Sequence, residues 1–330
     1  MNRALIKQNS KRYLSGKYGD ALGVAVIASL LGGMASQTLP LISGSSSSPA
    51  RYFSDNGIFG LDDRIQLGEW MEVVTDFVLS VVLQTWFLLL LAFFFLLVIP
   101  LYKTFVSNVI AVGRERWFLR STHLDIAPPV RLMFSPFRKG EYGKTAGGMF
   151  RRSFWLYLWN LPANLALLLV LIPTLLVRLY IFAHSMAFTE ANILLAIDAL
   201  GLPRKLFSLP LLIGALLVLL AFSIIGLVKK YQYSLVPYLL ADNPHLGGKR
   251  ALALSRAMTR GRLWFLYVLD LSFIGWLFLA SLCICMPWVT LHLVAPYYHM
   301  TWAETYNLIR DESAGRGLLS MEELGYVRLG

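Results

Sequence analysis

The chain has 330 residues, 57% of them apolar and only 15% charged, with a mean hydropathy of +0.60 and a formal net charge of +11. A soluble domain carries about a quarter charged residues, so this composition excludes an ordinary water-soluble globule. The basic excess does not point to nucleic acid, because no basic domain with interleaved aromatics stands apart from the apolar stretches.

The charges are clustered. Residues 21–50, 77–102, 153–177, 206–228 and 271–303 contain no Asp, Glu, Lys or Arg. Each run is long enough to cross a hydrocarbon core of about 30 Å, which takes about 20 helical residues. The runs lack the alternation of a barrel strand, and open backbone cannot face lipid. They predict an all-α, polytopic helical transmembrane bundle of about six spans, one integral membrane domain over 1–330, with interfacial amphipathic helices on the cytoplasmic side.

In chain order, residues 1–20 carry five basic side chains and lead into a span at 21–43. It is read as retained rather than as a cleaved leader, since the uncharged stretch runs on to Ala50, past a typical signal core. The 44–74 loop is Ser-rich and acidic, with Asp55, Asp62, Asp63, Glu69 and Glu72 against Arg51 and Arg64. A second span follows at 75–101. The 102–153 segment then holds ten basic residues. Within it, 103–119 alternates apolar and basic positions and reads as a helix lying at the interface. The Pro- and Gly-rich stretch after it reads as a short re-entrant or surface-hugging connector, whose Gly147-Gly148 pair does not make a phosphate loop.

The third span, 154–177, contains Asn160 and Asn164 on either side of Pro162. This polar break either kinks and glues helices or lines a cavity. A connection with three basic residues, 178–205, leads to the fourth span at 206–228. Segment 229–262 holds seven basic residues. There Asp242 or Asn243 suits a helix cap and Pro244 the first turn. The following helix sets Ala251, Leu252, Leu254 and Met258 beside Lys249, Arg250, Arg256, Arg260 and Arg262. These five cations are candidate lipid contacts, since basic amphipathic helices bind anionic leaflets; the alternative is that they only set topology.

Residues 263–303 form a 41-residue apolar region with one charge, Asp270. A single straight helix of that length measures about 60 Å, so Pro287 is taken to divide it into spans at 263–283 and 287–303, the alternative being one span plus an interfacial helix. A carboxylate within a span needs protein, water or a partner. The favoured role for Asp270 is a structural tie to a neighbouring helix or to Lys229, Lys230 or Arg262; the other is cation or proton binding in a transport path. Ser272 and Trp276 add polar edges to the same helix. The basic-rich and basic-poor segments alternate, which places the N-terminus, 102–153 and 229–262 in the cytoplasm, and an even span count returns the 304–330 tail there.

Catalytic chemistry is thin. His123, His184, His245, His292 and His299 show no HExxH spacing, Cys283 and Cys285 suit neither a CxxC redox pair nor a zinc site, and there is no GxSxG. No catalytic residue, metal ligand or cofactor site is expected.

Several blocks carry a family resemblance. YSLVPYLLADNP (233–244), the Ser255–Met258–Gly261 pattern, LDLSFIGW (269–276) and PYYHMTWAETY (296–306) resemble the bacterial integral membrane family known as domain of unknown function 975. KRYLSGKYGDALGVAVIASLL (11–31) is similar to that family's start, and SPFRKGEYGKT (135–145) to its cytoplasmic Phe-Lys motif. The resemblance marks Tyr233, Asp242, Asn243, Pro244, Ser272, Gly275, Trp276, Pro296 and Tyr297 as motif positions. The chain departs from the pattern at Ile225-Gly226, where a proline is usual, and in a longer 178–205 region. The resemblance implies a polytopic membrane protein and supplies no catalytic residues.

The sequence therefore predicts a non-enzymatic, multi-pass cell-membrane protein that contacts anionic lipid headgroups, a membrane protein partner or a second copy of itself through basic interfacial helices. The competing prediction is a small transporter or channel that uses Asp270 and the Asn160/Asn164 break.

Overall fold

A computed structural model describes residues 2–32, 93, 98–276 and 287–326. Every regular element among them is helical. Helices α1 (Arg3–Leu14) and α2 (Tyr18–Gly32) meet at a 99° bend. Asn2 caps α1 by accepting from the Ala4 amide at 3.0 Å. Lys17, at the bend, donates to the carbonyls of Ser121 (3.0 Å) and Leu124. It thereby places a cation on the C-terminal carbonyls of a later helix, where the dipole favours positive charge.

A short helix α3 (Ile99–Tyr102) passes through a π-helical turn (Lys103–Ser107) into α4 (Asn108–His123). This helix is the axis of the core, flanked by α2, by the 3₁₀ helix Val130–Phe137 and by two later helices. The sequence suggested an interfacial helix here. Instead every residue from Ser107 to Leu119 except Arg116 is buried. The reason is that Val109, Ile110, Ala111, Val112, Trp117, Phe118 and Leu119 cover the whole circumference rather than one stripe, and a helix apolar all round belongs inside. Arg116 is held by the Ala241 carbonyl (2.9 Å), Ser135 (2.8 Å) and Glu141 (2.8 Å).

Helix α5 (Tyr142–Ala183) is 42 residues long, about 63 Å at 1.5 Å per residue. It contains the predicted third span. It also absorbs the end of the segment expected to be a connector, because Gly148 lets α9 (Gly248–Thr259) cross at backbone contact: a Cβ on Gly248 would lie 2.7 Å from the Gly148 Cα. The expected break at Pro162 does not occur, and α5 runs through both Pro162 and Pro173. Side-chain donors supplement the backbone ladder beside each proline, Asn160 to the Leu156 carbonyl and Thr174 to that of Val170, both at 2.7 Å.

After α5, the 178–205 connection folds as α6 (Glu190–Ala199), capped by Thr189, with Ala196 and Ile197 packed on Val177 and Ile181. Helix α7 (Leu209–Gln232) returns along α5, and α8 (Val236–Asp242) follows. After α9 come α10 (Leu263–Leu271) and α11 (Pro287–Gly315).

Tyr142–Phe182 and the α7–α8 run Leu209–Asp242 are long and apolar enough to cross a membrane; the bent α1–α2 pair makes a third if it counts as one span. Only 11% and 6% of the two apolar windows is buried, so the predicted third and fourth spans present nearly all of their apolar surface outward. Span 21–43 is described only to Gly32, span 75–101 falls largely outside the described residues, and α10 turns at Ser272 before a last helical stretch to Trp276. The region expected to be a C-terminal tail is part of the fold. Residues 304–315 continue α11 through the core, where Tyr306 and Ile309 are fully buried, and Leu319 and Leu324 pack against it.

Candidate functional site

One cleft gathers the polar residues that the apolar helices carry. It measures about 860 Å³ and lies where α4, α5, α7, α10 and α11 meet. Asp270, Asn160 and Asn164 all line it, so the structure brings together the three polar positions that the sequence singled out.

Asp270 sits in the last turn of α10 and is buried. Its Oδ2 accepts from the Tyr231 hydroxyl at 2.8 Å, and its Oδ1 from the Trp302 indole N–H at 2.8 Å and the Tyr298 hydroxyl at 3.1 Å. Tyr298 and Trp302 are four apart on α11 and share one helix face. The carboxylate thus ties α7, α10 and α11 together; its hydrogen-bond donors are neutral, and of the expected basic partners only Lys230 acts on it, by charge and without an ion pair. Arg262 pairs with Glu312 on α11. Lys229 donates to Gln232 at 3.2 Å and lies 4.5 Å over the Trp159 ring. Lys230 is half-buried and lines the cleft.

On α4 the buried neighbours Arg114 and Glu115 form a forked pair, Nη2 at 2.7 Å and Nε at 3.1 Å from Glu115 Oε1. His299 Nδ1 approaches the same oxygen at 3.4 Å without hydrogen-bond alignment. Burial pushes the Glu115 carboxyl up, but the Arg114 charge and then His299 outweigh it and bring it down to about 2. The sequence reading missed this pair, together with Arg152, Tyr231, Tyr298, His299 and Trp302. The available signal was the apolar circumference of α4: a charge pair inside it has to be internally neutralised.

Arg152, on α5, is buried to 9% exposure, and its Nε donates to the Tyr233 carbonyl at 3.0 Å. Asn160 packs on α7 at Gly226, where a Cβ would fall 2.2 Å from Asn160 Oδ1. Asn160 therefore acts as helix glue through a close contact rather than through a break.

The remaining motif positions are structural. Asp242 does not cap a helix. Its side chain is 8% exposed and accepts from Tyr306 (2.6 Å) and Tyr326 (3.1 Å), with Arg310 at 3.7 Å. Burial, followed by the Asp242 charge, pushes the Tyr326 phenol up to about 12. Asn243 is the cap, accepting from the His245 amide at 2.9 Å above a 3₁₀ turn begun by Pro244. Tyr233 is buried, Ser272 bonds the Leu269 carbonyl at 2.5 Å, Pro296 lies inside α11, and Tyr297 lies under Lys11 at 5.8 Å. Gly275 and Trp276 are exposed.

The candidate lipid-contacting cations divide into two groups. Ala251, Leu252, Leu254 and Met258 turn into the core, so the apolar face of α9 does not meet lipid. Arg250 pairs with Glu323 at 2.7 Å and Arg262 with Glu312. Lys249, Arg256 and Arg260 are exposed and make no ion pair among the described residues. Among those residues no group of three or more His, Cys, Asp or Glu is placed to hold a metal ion, and Cys283 and Cys285 lie outside them.

Fold and site together define an all-helical protein that joins two long, outward-apolar helices to a polar, charge-lined cleft. Residues 148–313, about half of the chain, match the model of the family described as Protein of unknown function (DUF975), and the chain belongs to that family. The matched region contains the cleft residues of α5, α7, α10 and α11, whereas the N-terminal and 135–145 resemblances lie outside it. No curated protein and no solved structure matches the chain.

Proposed function

We propose that this protein is a non-enzymatic, multi-pass protein of the cell membrane, with its N-terminus cytoplasmic, that contacts anionic lipid through a basic edge at the cytoplasmic surface. The observation that carries the reading is the exposure of Lys249, Arg256 and Arg260 along one side of α9, without acidic partners among the described residues, next to Trp264, which is 74% exposed. With the apolar face of α9 committed to the core, these cations act by charge rather than by insertion, at about 1 kcal/mol per basic residue near an anionic surface. Such contacts weaken as salt rises.

A dye on Ala253→Cys, which lies exposed between the cations, tests this in full-length protein reconstituted into nanodiscs. Headgroup-quencher lipids should quench it more strongly in phosphatidylglycerol than in phosphatidylcholine discs. The difference should fall when Lys249, Arg256 and Arg260 are all replaced by Gln. Equal quenching in the two lipids would refute the reading.

The transport reading keeps one specific support, that Asp270, Asn160 and Asn164 line the same cleft. The three donors on Asp270 favour the structural role.

A further inference from the structure

The cleft carries more cationic than anionic side chains. Lys103, Arg114, Arg152 and Lys230 line it against Glu115 and Asp270. Both carboxylates are already engaged, Glu115 by Arg114 and Asp270 by three neutral donors. That leaves Lys103, Arg152 and Lys230, which make no ion pair among the described residues. Arg152 is the sharper case: it is buried, and of its five N–H donors only the one on Nε has a described partner. The acidic charge that acts on it is Glu115, already shared with Arg114; a buried guanidinium short of counter-charge is costly, and an anion in the cleft reduces that cost.

The position and shape of the cleft select the kind of anion. In the topology proposed above, Arg152 precedes the third span, Lys230 follows the fourth and Lys103 follows the second, so all three stand at headgroup depth. From there the cleft follows α5 from Phe150 to Asn164, about 21 Å of helix, into the apolar zone. Its rim includes Phe150 and Phe154, each 50% exposed, and Tyr157, 60% exposed. A cationic end at the interface joined to an apolar-rimmed channel fits an amphiphile, and a small soluble anion would leave most of the volume unfilled.

We propose that this cleft binds a single anionic phospholipid of the phosphatidylglycerol type, its phosphodiester held by Arg152 and Lys230 and its acyl chain lying along α5 and α7. The site is separate from the surface cations of α9 and goes beyond the surface contact proposed for them.

The test is full-length protein equilibrated with mixed micelles of phosphatidylglycerol and phosphatidylcholine, with retained lipid read by native mass spectrometry. One phosphatidylglycerol should be retained in preference to phosphatidylcholine. Lys230→Gln should lower that preference about fivefold, the equivalent of one basic contact of about 1 kcal/mol. The Arg152→Gln/Lys230→Gln pair should lower it further, while Arg152→Lys keeps the charge and most of the preference. Replacing Lys249, Arg256 and Arg260 by Gln should leave it unchanged, which separates failure here from failure of the surface reading. Equal retention of the two lipids, an unchanged preference in Lys230→Gln, or displacement of the lipid by excess inorganic phosphate would each overturn the assignment.

Discussion

The α5–α7 hairpin and the core around α4 solve opposite problems with the same residue types. Along the hairpin, large apolar side chains point outward: Leu165, Leu171, Leu217 and Ile224 are 56%, 50%, 61% and 64% exposed. Around α4, side chains that would ordinarily face water are inside, including Arg114, Glu115, Arg152, His299 and Arg310. Soluble monomers rarely expose apolar surface on the hairpin's scale, and buried polar groups persist only when bonded. The comparison teaches that burial in this chain follows the local solvent and does not rank residues by polarity. In the membrane setting proposed above, the apolar side chains of the hairpin need no protein partner, whereas every charged group of the core needs one.

The largest expected effect comes from breaking a core tie. Asp270→Asn keeps the volume but replaces a carboxylate that three donors address, and the amide nitrogen cannot accept from any of them. Each buried donor left unpaired costs about 1–3 kcal/mol, so a loss of about 3 kcal/mol in unfolding stability is expected, read by thermal denaturation in detergent and by the amount of protein in the membrane. If Asp270 instead serves transport, the variant remains folded and inserted while flux disappears. A stable, flux-dead Asp270→Asn would reverse the structural assignment.

A second break is set by pH. Glu115 has a folded-state value depressed to about 2 against an ordinary 4.5. A depressed carboxylate contributes stability that is fully present above its unfolded value and is lost as pH falls through its folded value. The protein should therefore lose stability as pH falls from about 4.5 towards 2. Glu115→Gln should be less stable than wild type at neutral pH, and the gap should narrow over that acid range. A gap that stays constant with pH would show that Glu115 acts by shape alone.

The two apolar helices of the hairpin are legible in the sequence, because a charge-free run of 23 or more residues such as 206–228 has few alternatives; the full length of α5 and its continuity through Pro162 are not. Asp270 was legible as a tie, since physics requires a partner for a buried carboxylate. The partners were not, because attention to opposite charge passed over Tyr298 and Trp302, whose spacing of four already put two neutral donors on one face. In two places the structure differs from the sequence expectation. The charges of α4 point to the interface, and the span count makes 304–315 part of a tail. Yet Arg114 pairs with the residue next to it, and Asp242 meets Arg310, Tyr306 and Tyr326 across more than sixty residues of chain. The Asp242 contacts are tertiary, and even the adjacent Arg114–Glu115 pair reads the same on a wetted helix, so charge content alone could not distinguish a wetted helix from a neutralised, buried one.

The smallest expected effect sharpens the comparison from the other side. Leu217→Ala removes a large side chain, and in a packed core a Leu→Ala change costs about 2–5 kcal/mol. At 61% exposure on α7, Leu217 has little protein contact to lose, and lipid or detergent replaces what is removed. Its effect on unfolding stability should stay within about 0.5 kcal/mol, while Leu239→Ala, at a fully buried position on α8, shows the full core penalty. Thermal denaturation of the two variants side by side in the same detergent decides the matter. A loss at Leu217 as large as that at Leu239 would mean that the outward face of the hairpin is covered by protein, a second copy of the chain or a membrane partner, and the contrast between the two regions would then mark an interface rather than lipid.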